Sequence, residues 1–285
     1  MKLCRYGEPG AEKPGLIDRD GAIRDLSAVI DDINADVLSR EGLRKLAALD
    51  PSTLPFVEGK PRFGTPVAHV GKMLCVGMNY ADHAAETNAP VPEQPVLFMK
   101  ATTAIGGAND AIVIPRGSVK TDWEVELGVI IGEVTRDVSI DDALDYVAGY
   151  AVINDVSERE FQLEHGGQWV KGKSCDTFGP IGPWLVTKDD VPNPQNLSLW
   201  LEVNGHRYQN GNTRTMVFGV AHLVSYISRY MTLMPGDVIS TGTPAGVGLG
   251  LHPPTYLKPG DVIELGIEGL GQQRQDVLAH PASRA

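Results

Sequence analysis

The segment 121–131, TDWEVELGVII, sets Glu124 and Glu126 two residues apart beside an apolar run. Side chains alternate faces along a strand, so the two carboxylates share one face. Near a core they repel each other unless a cation sits between them, although such a pair is more often a solvated strand edge. A third acid, Asp155, follows the apolar stretch YAVIN at 150–154, where a strand end could turn it back toward the same place. Three hard oxygen ligands with no neighbouring His or Cys suit Mg²⁺ or Mn²⁺, leave positions for water and substrate oxygens, and fit zinc poorly. Calcium is compatible with the same donors, but no EF-hand loop is present.

Three further segments carry chemistry. In NYADHAAE, 79–86, a helix would put His83 and Glu86 three residues apart on one face. A carboxylate so placed orients an imidazole for general-base attack on water, and it is equally the pattern of a capping or surface pair. The proline-flanked loop 87–95 beside it reads as a lid or as a proline-rich turn. In WVKGKSCDTFGP, 169–180, Lys173 could supply positive charge to a developing anion, with Lys171 the exposed alternative. In STGTPAGVG, 240–248, a strand runs into a glycine-rich loop whose N–H groups and Thr243 hydroxyl could hold a carboxylate. The Lys-Ser/Thr ending of a Walker A loop is missing, and no Gly-x-Ser-x-Gly elbow occurs.

Short strand-like runs recur at 96–99, 127–131, 150–153, 184–187, 199–203, 238–241 and 262–265, with helices expected over 140–148, 157–165 and 216–230. The stretch LMPGDVI at 233–239 is echoed by LKPGDVI at 257–263, read as two type II turns feeding strands of one mixed sheet. The first 70 residues differ: 37–49 has helical spacing, and a proline-rich tract at 51–66 precedes the apolar run 74–77. We therefore expect a small N-terminal domain, 1–70, and a larger one, 71–285, in a strand-dominated α+β fold without the βαβ rhythm of a doubly wound sheet.

A formal charge of −11 with no basic run argues against nucleic acid as a partner. Three widely spaced cysteines encode neither a disulfide framework nor a zinc knuckle. No signal core and no membrane-length apolar run is present, which points to a cytoplasmic protein.

Taken in order, GMNYADHAAE (77–86), FMK (98–100), DWEVELG (122–128), Asn154-Asp155, KGKSCDTFGP (171–180) and STGTPAGVG (240–248) resemble the fumarylacetoacetate hydrolase superfamily. RYG at 5–7 and KPGLID at 13–18 also resemble a bacterial subgroup described as 2,4-diketo-3-deoxy-L-fuconate or L-rhamnonate hydrolases, often labelled ureidoglycolate lyase. The resemblance implies a mixed β-sheet roll, a homodimer, and Mg²⁺ or Mn²⁺ on Glu124, Glu126 and Asp155. It implies a His83–Glu86 dyad on a mobile lid and substrate contacts from Lys173, Gln162 and Thr243, and it matches Lys100 to a recurrent lysine. The implied reaction is hydrolysis of the C3–C4 bond of an anionic 2,4-dioxo acid to pyruvate and a second acid such as lactate. Ureidoglycolate lyase, acylpyruvate hydrolase, oxaloacetate decarboxylase and isomerisation of a 2-oxo-dienedioate are the rivals on the same scaffold. A non-catalytic metal-dependent binding protein is the alternative of another class.

Overall fold

Residues Val125–Ile131 and Val147–Asn154 are buried at every position, so both faces of these strands meet protein. They lie side by side, antiparallel, inside a ten-stranded sheet. The computed structural model describes residues 1–86 and 90–281. The sheet runs in the order Ile23–Asp25, Lys13–Ile17, Lys2–Tyr6, Gly179–Thr187, Val147–Asn154, Val125–Ile131, Val238–Ser240, Met73–Gly77, Val96–Lys100, with Ile105–Gly107 pairing onto Gly179–Thr187.

A second sheet of five strands packs on one face: His206–Asn212, Ser198–Val203, Val262–Ile267, Gly271–Leu278 and Ile112–Val113. Between the sheets lie Leu127, Val129, Val152, Leu199, Leu201, Ile263 and Leu265, together with Leu223 and Ile227 of the helix Val220–Ser228. The opposite face, with Ile130, Ala151 and Ile153, is covered by Leu26, Ile33 and Leu38 from the first 70 residues. Those residues also extend the large sheet, since Lys2–Tyr6 pairs with Gly179–Thr187. Strand-dominated α+β architecture is therefore as expected, and the composition change near residue 70 is not a break in the sheet.

Several expectations are corrected. Over 140–148 the Ser139 hydroxyl does accept the Asp142 N–H, but only a 3₁₀ turn, Ala143–Tyr146, follows before the strand begins at Val147. Gly149 is itself part of that strand. It sits at a bulge where a Cβ would lie 2.2 Å from the Val186 carbonyl. The helix within 157–165 shrinks to Arg159–Leu163, because Ser157–Glu158 pairs with Thr121–Asp122 and the Glu158 carboxylate then caps the helix at the Phe161 N–H, 2.6 Å. The helix within 216–230 starts only at Val220, since Met216 bridges Tyr80 and the Val217 N–H bonds the Asn79 carbonyl. The helical spacing of 37–49 falls on two helices, Ala35–Leu38 and Arg40–Ala47, divided by Ser39, which caps the second, and that helix ends before Ala48.

The repeated Pro-Gly turns share one construction: Gly236 and Gly260 have φ of +92° and +97°, and the following Asp accepts the N–H of Met234 or Lys258 at 2.7 Å. They feed different sheets, however, one leading to Val238–Ser240 and the other to Val262–Ile267, so the expectation of a single sheet is wrong. Among the described residues no helix is long and apolar enough to cross a membrane.

Candidate active site

Strand register alone brings the three acids together. Ile153 pairs with Glu126 and Asn154 with Val125, and the ladder continues through the Asp155 N–H to the Glu124 carbonyl at 2.9 Å. Asp155 and Glu124 are thus cross-strand neighbours on the face that also carries Glu126. Ligand oxygens of Glu124, Glu126 and Asp155 all lie within 4.8 Å of one another, and all three residues are buried. The neighbouring strand Val238–Ser240 then delivers the start of the glycine-rich loop, so that Ser240 Oγ and the Gly242 N–H donate to Glu126 Oε2 at 2.6 and 2.9 Å.

Buried cations are packed into the same cluster. Lys173 Nζ lies 2.6 Å from Glu124 Oε2 and 2.9 Å from Asp155 Oδ2. Arg159 reaches Asp122 and Glu124 at 2.8 and 2.7 Å. Lys100 Nζ donates to the carbonyls of Val156 and Lys173 and stands 2.5 Å from Asp155 Oδ1, outside hydrogen-bond geometry. That oxygen is therefore a buried carboxylate atom matched to Lys100 by charge but accepting no hydrogen bond.

The charges do not treat the carboxylates alike. Burial opposes ionisation of Glu124, but Lys173, Arg159 and His83 pull its pKa down to about 2. Burial, then Asp155 and Glu124, push Glu126 well above the usual carboxylate range. A buried set of oxygens, one of them accepting no hydrogen bond and one reluctant to ionise without more positive charge, fits a hard divalent cation held by Glu124, Glu126 and Asp155.

His83 and Glu86 lie on the helix Ala81–Glu86, with His83 Nδ1 3.4 Å from Glu86 Oε2. The helix is docked by Glu86, whose carboxylate oxygens accept the Gly246 N–H at 2.9 and 3.1 Å. Only glycine fits there: φ is +105° and a Cβ would stand 2.0 Å from the Tyr208 carbonyl. Asn79 ties the start of this segment to the same loop by donating to the Thr241 carbonyl at 2.7 Å. Of the expected lid over 87–95, residues 87–89 lie outside the described residues.

One cavity is lined by His83, Glu124, Glu126, Gln162, Lys173 and Thr243, with Arg159, Phe98 and Trp169. Of the predicted site residues, His83, Glu124, Glu126, Gln162, Lys173 and Thr243 therefore line this space, whereas Glu86, Lys100 and Asp155 do not line it and meet it through their contacts with His83, Lys173 and Glu124. The Thr243 hydroxyl differs from expectation. It donates to the Val125 carbonyl at 2.9 Å and accepts from Gln209 Nε2 at 2.7 Å, so its proton is committed to the scaffold and is not offered to a ligand.

Sequence reasoning gave no role to Asp122, Arg159 or Gln209. Asp122 accepts the N–H groups of Trp123, Gly248 and Leu249 and pairs with Arg159, which locks the end of the glycine loop to the acid-bearing strand. A signal existed: Asp122, Glu124 and Glu126 alternate with period two. Gln209 accepts the Val125 N–H at 2.9 Å and arrives from the second sheet, which no local pattern reveals.

Comparison with known proteins agrees with this geometry. Residues 72–278 match the family described as fumarylacetoacetate (FAA) hydrolase C-terminal. A protein of Burkholderia multivorans named only in general terms as a hydrolase is 67% identical over 276 residues, covering 96% of this chain and 98% of that one. The fold is similar to fumarylacetoacetate hydrolase from Exiguobacterium antarcticum, with TM-score 0.88 and 38% identity over 98% of this chain and 100% of that one. It is also similar to a Sphingobium maleylpyruvate hydrolase solved with manganese(II) and pyruvate, with TM-score 0.82 and 30% identity over 98% and 99% of the two chains. A 2-hydroxyhepta-2,4-diene-1,7-dioate isomerase from Mycobacterium marinum matches with TM-score 0.74 and 33% identity over 99% of each chain. With the match spanning nearly its whole length, the chain belongs to the fumarylacetoacetate hydrolase superfamily.

Proposed function

We propose that this protein is a divalent-metal-dependent hydrolase that cleaves the C3–C4 bond of a 2,4-dioxo acid, releasing pyruvate and a second carboxylic acid. The observation that carries the reading is that His83, backed by Glu86, lines the same cavity as Glu124 and Glu126, the two glutamates clustered with Asp155. The manganese and pyruvate bound by the similar maleylpyruvate hydrolase support it. A diketo-deoxy sugar acid such as the fuconate or rhamnonate derivative fits this class, with lactate as the second product.

Glu124, Glu126 and Asp155 would hold Mg²⁺ or Mn²⁺, which when bound supplies Lewis acidity toward the carboxylate and 2-oxo oxygens of the substrate. His83 Nδ1 faces Glu86, so the opposite nitrogen, Nε2, takes a proton from the attacking water. The water oxygen bonds to C4, the C3–C4 bond breaks, and its electron pair leaves as a pyruvate enolate. The positive charge of Lys173 steadies the anion that develops, and the proton held by His83 completes pyruvate at C3. Gln162, which accepts from Arg159 through Oε1 at 3.1 Å, keeps its amide N–H groups for substrate oxygens.

The test is product analysis with 2,4-dioxo acids, oxaloacetate and ureidoglycolate, with Mn²⁺ and after chelation. The reading expects one pyruvate and one carboxylic acid per dioxo acid, and no turnover after chelation. Glyoxylate and urea from ureidoglycolate, or an isomer without pyruvate, would overturn it. His83→Ala should retain metal binding while kcat falls by about 10² to 10⁴. Near-normal turnover in that variant would remove the dyad from the mechanism.

A further inference from the structure

The cations lining the cavity, among the described residues, are already matched. Lys173 is held by Glu124 and Asp155, Arg159 by Asp122 and Glu124, and His83 faces Glu86. Between His83 and Lys100 the sequence contains no lysine or arginine, and its charged residues are Glu86 and Glu93. The rest of the cavity wall is Glu124 and Glu126 of the acid cluster, the uncharged polar Gln162 and Thr243, and Val76, Gly77, Met78, Phe98 and Trp169. The Phe98 and Trp169 rings meet edge to face with centroids 5.3 Å apart. Gly77 makes room for the indole, since a Cβ there would lie 2.4 Å from the Trp169 ring. Lys173 Nζ is 5.0 Å from the Phe98 ring centre, so the aromatic wall begins where the charged cluster ends.

A substrate anchored at the acid cluster by its carboxylate and 2-oxo group must lay its far end along that wall. A second carboxylate there would lose water against aromatic rings without gaining a cation, which is strongly unfavourable. An uncharged chain meets no such penalty. Resting on the reading under Proposed function, we propose that the site selects monoanionic 2-oxo acids with an uncharged distal end, and that Trp169, packed on Phe98, is the specificity-determining surface. This separates the chain from a dianion such as the 1,7-dioate for which the similar Mycobacterium marinum isomerase is named.

Two matched pairs test it on the Mn²⁺-loaded protein. The first, 2-oxoheptanoate and 2-oxoheptanedioate, lacks the 4-oxo group and is read by calorimetric binding. The second, 2,4-dioxoheptanoate and 2,4-dioxoheptanedioate, is read by kcat/KM. Within each pair only the terminal methyl and carboxylate differ. The monoanion should bind, and be cleaved, better by at least about tenfold, the least that an unpaired buried charge would impose. Equal or tighter binding of the dianion overturns the proposal whatever is cleaved. Preference for the monoanion with neither dioxo acid cleaved upholds the selectivity and removes C3–C4 hydrolysis instead. Absence of binding by either acid at millimolar concentration overturns both. Trp169→Ala should weaken 2-oxoheptanoate by about tenfold or more and pyruvate, which has no distal part, by less than about twofold, as lost contact area requires. An equal loss for both ligands would mean that the indole serves structure only.

Discussion

Two ion-pair networks in this molecule have similar membership and opposite consequences. Near the N-terminus, Arg62 bridges Glu12 and Asp110 at 2.9 and 2.6 Å, and Arg5 holds Asp32 at 2.8 Å. These side chains keep between 9% and 31% of their exposure, and water makes up for the extra acid. Burial raises the pKa of Glu12 and Asp110, but the neighbouring Arg62 outweighs it and both fall below the ordinary range. In the buried cluster at the cavity, Lys173, Arg159 and the more deeply set Lys100 face Asp122, Glu124, Glu126 and Asp155 at exposures of 6% or less for the paired side chains. There the unmatched charge has no solvent to lean on, and Glu126 resists ionisation. Burial turns the same arithmetic excess of acid from an ordinary surface feature into a demand for a cation.

The comparison breaks most easily at Lys173. Lys173→Met leaves Glu124 and Asp155 short of a buried partner and should destabilise the metal-free protein by about 3–5 kcal/mol in denaturant titrations. Added Mn²⁺ should recover part of that loss. A change below about 1 kcal/mol would mean that the cluster is solvated like the N-terminal one.

Next in size is Glu126→Gln. Both donors to Glu126 bind Oε2, so an amide oxygen in its place keeps the Ser240 and Gly242 bonds while removing the surplus charge. The metal-free variant should be more stable than wild type by about 1–3 kcal/mol at pH 8, and it should lose metal affinity. Its pH dependence follows from the raised Glu126 pKa. In the unfolded chain this acid ionises at its ordinary value, whereas in the folded metal-free protein it holds its proton longer. Stability is therefore fully present below the unfolded pKa and declines as pH rises through the folded one. A melting series in chelator across pH 5 to 8 should show that decline in wild type and not in Glu126→Gln. Glu124, pulled the other way to about 2, loses its contribution only as pH falls below the usual carboxylate range.

The smallest effect belongs to the solvated network. Arg62→Met should cost about 1 kcal/mol, shrink further at high salt, and leave kcat unchanged. A loss as large as that of Lys173→Met would erase the distinction between the two regions.

Much of this site is legible in the sequence because it is built from period-two patterning. Glu124 and Glu126 share a face by strand geometry, and the run ending in Asn154-Asp155 marks a strand terminus. What the pattern does not give is the register that sets Asp155 opposite Glu124, since pairing of residues so far apart in the chain is decided by packing on both sides of the sheet. Gln209 was invisible for a similar reason. It crosses from the second sheet to hold Val125 and Thr243, and a glutamine on a half-exposed hairpin strand carries no local sign of that. The helix expected over 140–148 fails for the opposite reason: the Ser139–Asp142 turn bond is real, but the buried strand that starts at Val147 leaves room for no more than a 3₁₀ turn.

The central claim is that this buried, acid-rich cluster is completed by one divalent ion. Calorimetric titration of chelator-treated protein with Mn²⁺ at pH 7.5, repeated in buffers of different ionisation enthalpy, tests it directly. One equivalent should bind per chain, and none in Glu126→Gln, because metal and proton compete for the Glu126 carboxylate. Absence of saturable binding to the wild type at millimolar Mn²⁺, or identical titrations for the two proteins, would contradict it.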